Sequence, residues 1–181
     1  MPNADSQVDT LLHELQDTRG RAEALFNGQT SAQLLRRPAE KRWSPAECVE
    51  HLNITNRAYL PRLSEAIRTL RQKNLLSRGG FRMDWKARLL KYWLEPPSRL
   101  RLPTGAAFRP VSVPDPSAIL TAFQSLGQKL EQELASARSL ALDAENIHSP
   151  FAENMEYNVY SAFVIIAAHN RRHLWQAGNA L

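Results

Sequence analysis

RWSPAECVEHL, residues 42–52, is the stretch from which the fold can be read. Ser44 is placed to accept from the amide three residues on, Pro45 suits a first helical position, and the Glu47 carboxylate can reach back to the Ser44 amide. This is a capping box with proline behind the cap, so a helix starts at residue 45. Leu52, Tyr59, Leu63, Ile67 and Leu70 continue it at helical spacing; Pro61 predicts a kink midway, and Gly79-Gly80 an end.

Working outward, residues 6–27 carry Val8, Leu11, Leu12, Leu15, Ala22, Leu25 and Phe26 on one helical face before Gly28. Asp115-Pro116 repeats the cap-then-proline signal, and Ile119, Leu120, Phe123, Leu126, Leu130 and Leu134 follow it, with Gly127 as a weak point inside. A last helix is predicted from about Met155 to Gln176, carrying Val159, Phe163, Ile166 and Leu174 and ending at Gly178. Between them, residues 79–115 form a connection rich in proline. It holds one short amphipathic helix over 84–94, in which Trp85, Leu89 and Trp93 are expected to bury one face while Lys86 and Lys91 stay solvated. No strand is predicted. Four long helices without an internal repeat predict an all-α four-helix bundle, one domain over residues 1–181, with a long crossover between the second and third helices.

Composition narrows the function. The 181 residues include one cysteine, Cys48, so no intrachain disulfide can form, and the start MPNADSQVD lacks the basic and apolar regions of a signal peptide. The longest apolar run, residues 162–168, is far below the roughly 20 residues of a membrane span. A soluble cytoplasmic protein is expected. From Arg68 to Arg101 there are ten Lys/Arg and two Asp/Glu, a local +8, so the rest of this +5 chain is net negative at −3. The basicity belongs to one segment, read first as a solvated face of the connection. Its interleaved Phe81, Trp85, Tyr92 and Trp93 leave a membrane or nucleic-acid contact as the alternative.

The histidines carry the chemical signal. His169 and His173 lie one turn apart near the end of the last helix, so both rings point the same way. They can share a metal ion, or serve as two polar groups at a helix end where positive charge suits the macrodipole. If the third long helix runs parallel to the second, the fourth returns antiparallel to it. His51, two turns into the second, then faces His169 and His173, while His13 and His148 fall at the opposite end.

Trp43, Ser44, Glu47 and His51 in the pattern W-S-x-x-E-x-x-x-H, followed by H-x₃-H-x-x-Q at His169, His173 and Gln176, resemble the DinB/YfiT-like superfamily of metal-dependent proteins. PPSRLRLPTGAAFRP is similar to the crossover of its DinB-type branch. The resemblance covers essentially the whole chain. It implies an up-down-down-up bundle and a divalent metal, zinc or nickel first, held by His51, His169 and His173. It further implies thiol S-transferase or hydrolase chemistry with a low-molecular-weight thiol as co-substrate. Glu47, one turn before His51, is the candidate catalytic residue: it can orient a ligand, take a proton from bound water or fill a fourth coordination position, or it simply closes the capping box. Trp43 is read as covering the helix start, Cys48 as a buried inert thiol, and Arg171 and Arg172 as pointing away from the histidines into solvent unless one meets an acidic cofactor. Arg109 and Tyr59 are lesser pocket candidates. The partner expected is a small-molecule substrate, with a homodimer left open, no nucleic acid and no membrane span. The competing class is a noncatalytic metal-binding or stress-response interaction module.

Overall fold

The computed structural model describes residues 3–97 and 104–181; residues 98–103 of the proline-rich stretch, including Arg101 at the end of the basic segment, lie outside them. In chain order the described residues form α1 (Ala4–Phe26), α2 (Ser31–Leu35), α3 (Pro45–Gln72), α4 (Trp85–Leu94), a 3₁₀ turn (Ala106–Phe108), α5 (Pro116–Ser136), strands β1 (Asn146–Ser149) and β2 (Ala152–Asn158), and α6 (Val159–Gly178). The chain is mostly helical, and no helix among the described residues is long and apolar enough to cross a membrane.

Local chemistry sets the helix starts. Ser44 accepts from the Glu47 amide at 3.2 Å while the Glu47 carboxylate accepts from the Ser44 amide at 2.8 Å, the reciprocal pair that opens α3. Asp115 accepts from the Ser117 amide and Pro116 opens α5. Pro61 sits inside α3 without ending it.

The expectation that no strands form is corrected by the β1–β2 hairpin, and with it the start of the last helix. Residues 152–158 pair antiparallel with 146–149, Ile147 opposite Tyr157 and His148 opposite Glu156. Tyr157 is buried while Glu156 is exposed, an alternation of period two that overrides the helical placement of Met155. The helix begins instead after Asn158, whose side chain accepts from the Ser161 amide at 2.8 Å. The short α2 is a second addition, opened by a Thr30/Gln33 capping box.

Long helices pack pairwise: α3 against α5 and α6, α1 against α5 and α6. One core gathers Leu11, Leu15, Tyr59, Leu63, Ile67, Leu130 and Phe163; a second, at the α3 start, gathers Phe26, Val49, Leu52, Ile119, Phe123 and Leu174. The second core seats the start of α3 beside the end of α6. α4 packs on α6 as well, but not in the expected register. Ala87 and Leu94 are buried, Leu90 is half buried, and Trp85 and Leu89 are exposed; Trp93 is half buried, as is Lys91, and only Lys86 is as solvated as expected. Leu and aromatic residues occur on both sides of this helix, so periodicity could not choose between them.

Candidate metal centre

Three imidazoles meet where the start of α3 lies against the end of α6. His51 comes from the second turn of α3, and His169 and His173 from successive turns of α6. All three are buried, and one ring nitrogen from each lies within 4.8 Å of the others. Nε2 of His51 is 3.3 Å from Nε2 of His169. Two nitrogens at neighbouring corners of a tetrahedron around zinc, with bonds near 2.1 Å, are about 3.4 Å apart, so this pair already has the spacing of a shared ion. The donor set therefore fits a divalent metal.

The protonation pattern suits ligation. His51 Nδ1 lies 2.7 Å from the Phe108 carbonyl, which can only accept, so Nδ1 carries the proton and Nε2 presents its lone pair toward His169. Burial lowers the pKa of His51, with the Phe108 carbonyl opposing. His169 and His173 are held well below the ordinary histidine range, chiefly by burial and further by charge on neighbouring histidines and on Arg172. At neutral pH all three rings are neutral, the form that binds metal.

The site opens into a cavity of about 910 Å³, within the range of small-molecule sites. Trp43 forms one wall, its ring centroid 4.9 Å from that of His51 and 5.8 Å from that of His173. Trp43 is thus a pocket residue as well as a cover for the helix start. Phe108 and Phe151 pack against one another with tilted rings, centroids 4.7 Å apart, and Phe151 stands 5.7 Å from His169. Both come from loop or turn segments with no periodic signal in the sequence. Gln176 also lines the cavity, as do Lys41 and Arg42, which are exposed.

The arginines between the histidines are not solvated, which corrects their reading as solvent-facing. Arg172 is 4% exposed, lines the cavity and donates to the Trp93 carbonyl at 2.9 Å. Arg171 donates to Glu95 beyond α4 and to Glu14 of α1, tying three segments together next to the site. Arg109, also considered for the pocket, is exposed and braces its own loop through the Thr104 carbonyl. Tyr59 is buried and hydrogen-bonded to the Tyr157 hydroxyl at 2.5 Å; it does not itself line the cavity but backs it, its ring centroid 5.9 Å from that of Phe151.

Glu47 is buried beneath this end of α3. Burial alone would raise its pKa, but hydrogen bonds from Arg37 and Ser44, with the Arg37 charge, outweigh it and hold the carboxylate below its ordinary value. One oxygen accepts from Ser44 and both accept from Arg37. Of the roles open to Glu47, the cap is the one whose geometry is formed. Cys48 lines the cavity wall and is buried as expected, and burial pushes its thiol up to about 12, which favours the protonated form.

The chain belongs to the DinB superfamily, whose family model matches residues 14–177 and so spans both arms of the histidine cluster. No curated protein and no solved structure matches it.

Proposed function

We propose that this DinB-superfamily protein is a cytoplasmic, divalent-metal-dependent enzyme that uses His51, His169 and His173 as ligands for thiol S-transfer or hydrolysis of a small-molecule substrate. The observation that carries the reading is a buried cluster of three neutral histidines facing an aromatic cavity. Among the described residues no carboxylate or thiol joins the three nitrogens, so the side toward the cavity remains for a reactant. A zinc or nickel ion held there would supply Lewis acidity, lowering the pKa of a thiol or water that reaches it.

The chain's own residues do the rest. The Phe108 carbonyl fixes the His51 tautomer, and Trp43 packs across His51 and His173 to hold the rings and exclude water. Lys41, Arg42 and Arg172 give the cavity a cationic character suited to an acidic substrate or a carboxylate-bearing thiol. Glu47 acts in this reading through the capped start of α3, with a direct proton-transfer role as the alternative that its substitution tests. The reading takes residues 1–181 as one domain whose long helices α1, α3, α5 and α6 form an up-down-down-up bundle. The meeting of early α3 with late α6 supports that order.

Elemental analysis of tag-free protein checks the site. His51→Ala, His169→Ala and His173→Ala should each lose stoichiometric zinc or nickel, whereas His13→Ala and His148→Ala should keep it; equal metal content in all five would end the assignment. Loaded protein should then consume an electrophile with added thiol, as a transferase, or with water alone, as a hydrolase. Loaded protein that does neither and exchanges no coordinated ligand belongs to the noncatalytic metal-binding class.

A further inference from the structure

The short helix α4 is apolar on two sides. Its inner side, with Ala87 and Leu94, is buried in the fold. On the outer side Trp85, Leu89 and Tyr92, spaced i, i+4 and i+7, are 70%, 42% and 57% exposed and form one ridge. An exposed apolar ridge rimmed by polar residues marks a surface that something else covers. Lys86 and Arg88 flank the ridge on either side, both exposed, and Arg78 and Arg82, also exposed, precede it. Between Arg78 and Leu94 the only acid is Asp84, and its carboxylate accepts from the Asn158 amide at 2.7 Å. The ridge is therefore apolar at its crest and cationic at its edges.

That charge pattern selects what covers it. A symmetric pairing of two copies through this face would set Lys86 and Arg88 against their own counterparts, a like-charge contact. A single-stranded nucleic acid is held in a cationic groove with aromatic platforms, whereas here the surface is convex and includes the aliphatic Leu89. A lipid surface asks for this arrangement: Trp and Tyr rings at headgroup depth, an aliphatic side chain at the acyl boundary, and Lys and Arg reaching lipid phosphates from both flanks. We propose that the outer face of α4 docks this protein on an anionic lipid surface, with Trp85, Leu89 and Tyr92 inserted and Arg78, Arg82, Lys86 and Arg88 on the headgroups. The helix lies flat, along about 15 Å of interface.

The test is co-sedimentation of the full chain with vesicles of phosphatidylcholine alone and of phosphatidylcholine mixed with phosphatidylglycerol. Binding is expected to the mixed vesicles only, and to weaken as salt is raised. Lys86→Glu with Arg88→Glu should lower partitioning a hundredfold or more, since each basic residue contributes about a fivefold gain at such a surface. Trp85→Ser with Leu89→Ser should lower it at least tenfold. All four positions are exposed, so the variants should fold, and unchanged metal content will verify this. Equal binding to both vesicle types, or binding that survives both double variants, overturns the proposal. So does a dimer, seen by sedimentation, that either double variant dissociates, or single-stranded RNA bound in preference to the vesicles through the same residues.

Discussion

Acidifying the metal-free protein from pH 7.5 to 5.5 should weaken it by an amount set by the imidazoles that the fold keeps neutral. His169 and His173 are held well below the ordinary value near 6.5, by burial first and by neighbouring positive charge second; His51 is lowered by burial against the opposing Phe108 carbonyl. On unfolding each ring returns to about 6.5 and takes up a proton that the folded site refuses. The stabilisation is thus complete above pH 6.5 and is lost as the pH falls below it, since only the unfolded chain gains protons. At pH 5.5 an imidazole still neutral in the fold costs about 1.4 kcal/mol, so His169 and His173 together cost about 3 kcal/mol, with a smaller share from His51. Urea unfolding of chelator-treated protein, followed by circular dichroism at several pH values, reads this directly. A double variant, His169→Gln with His173→Gln, should lose most of the slope. A stability that is flat across the window, or a double variant with the wild-type slope, would refute the argument that these rings are buried and neutral. Saturating zinc should raise stability at pH 7.5 and steepen its loss on acidification, because protons then compete for ligating nitrogens.

Glu47→Gln separates two roles: glutamine can still close the capping box, as Gln33 does in α2, so only the charge of the Arg37 pair is lost, which should cost about 1 kcal/mol or less of stability, read by the same unfolding experiment. If the metal-loaded protein catalyses the proposed reaction with Glu47 as general base, the substitution should in addition cost about 10²–10⁴-fold in rate, so an unchanged rate leaves Glu47 as a cap alone. Gly127→Ala should destabilise by about 1 kcal/mol despite alanine's better helix propensity. The Arg19 stem lies across this glycine, with Cγ 2.8 Å from where a Cβ would stand, on its way to Glu131 and Gln124. Thermal melts should show Arg19→Ala and Gly127→Ala costing less together than the sum of the two, and additive costs would reject the contact.

What could be read in the sequence was whatever is decided within a few residues. Ser44-Pro45 and Asp115-Pro116 announced their helices because caps are local hydrogen bonds, and the H-x₃-H turn announced two rings on one face. Tertiary contacts overruled local pattern at Met155, whose apolar spacing fitted a helix until strand pairing with residues 146–149 claimed it. α4 was misoriented because both of its sides are apolar. Arg172 was misread because a charged side chain is usually solvated, and here the α6 surface that carries it is covered. Phe108 and Phe151 reach the cavity from segments without periodicity, so nothing in their surroundings marked them.

The bond from His51 to the Phe108 carbonyl sets a limit on what side-chain scanning can reveal about this centre. The oxygen that selects the imidazole tautomer belongs to the main chain, so replacing Phe108 alters the cavity wall and leaves the acceptor in place. Alanine substitutions through the loop would rank Phe108 by its ring alone. What the centre requires of that loop is a path, and a path is disturbed by inserting or deleting a residue ahead of 108. Chains that differ at every side chain of this turn but keep its length can therefore retain the same proton on the same nitrogen.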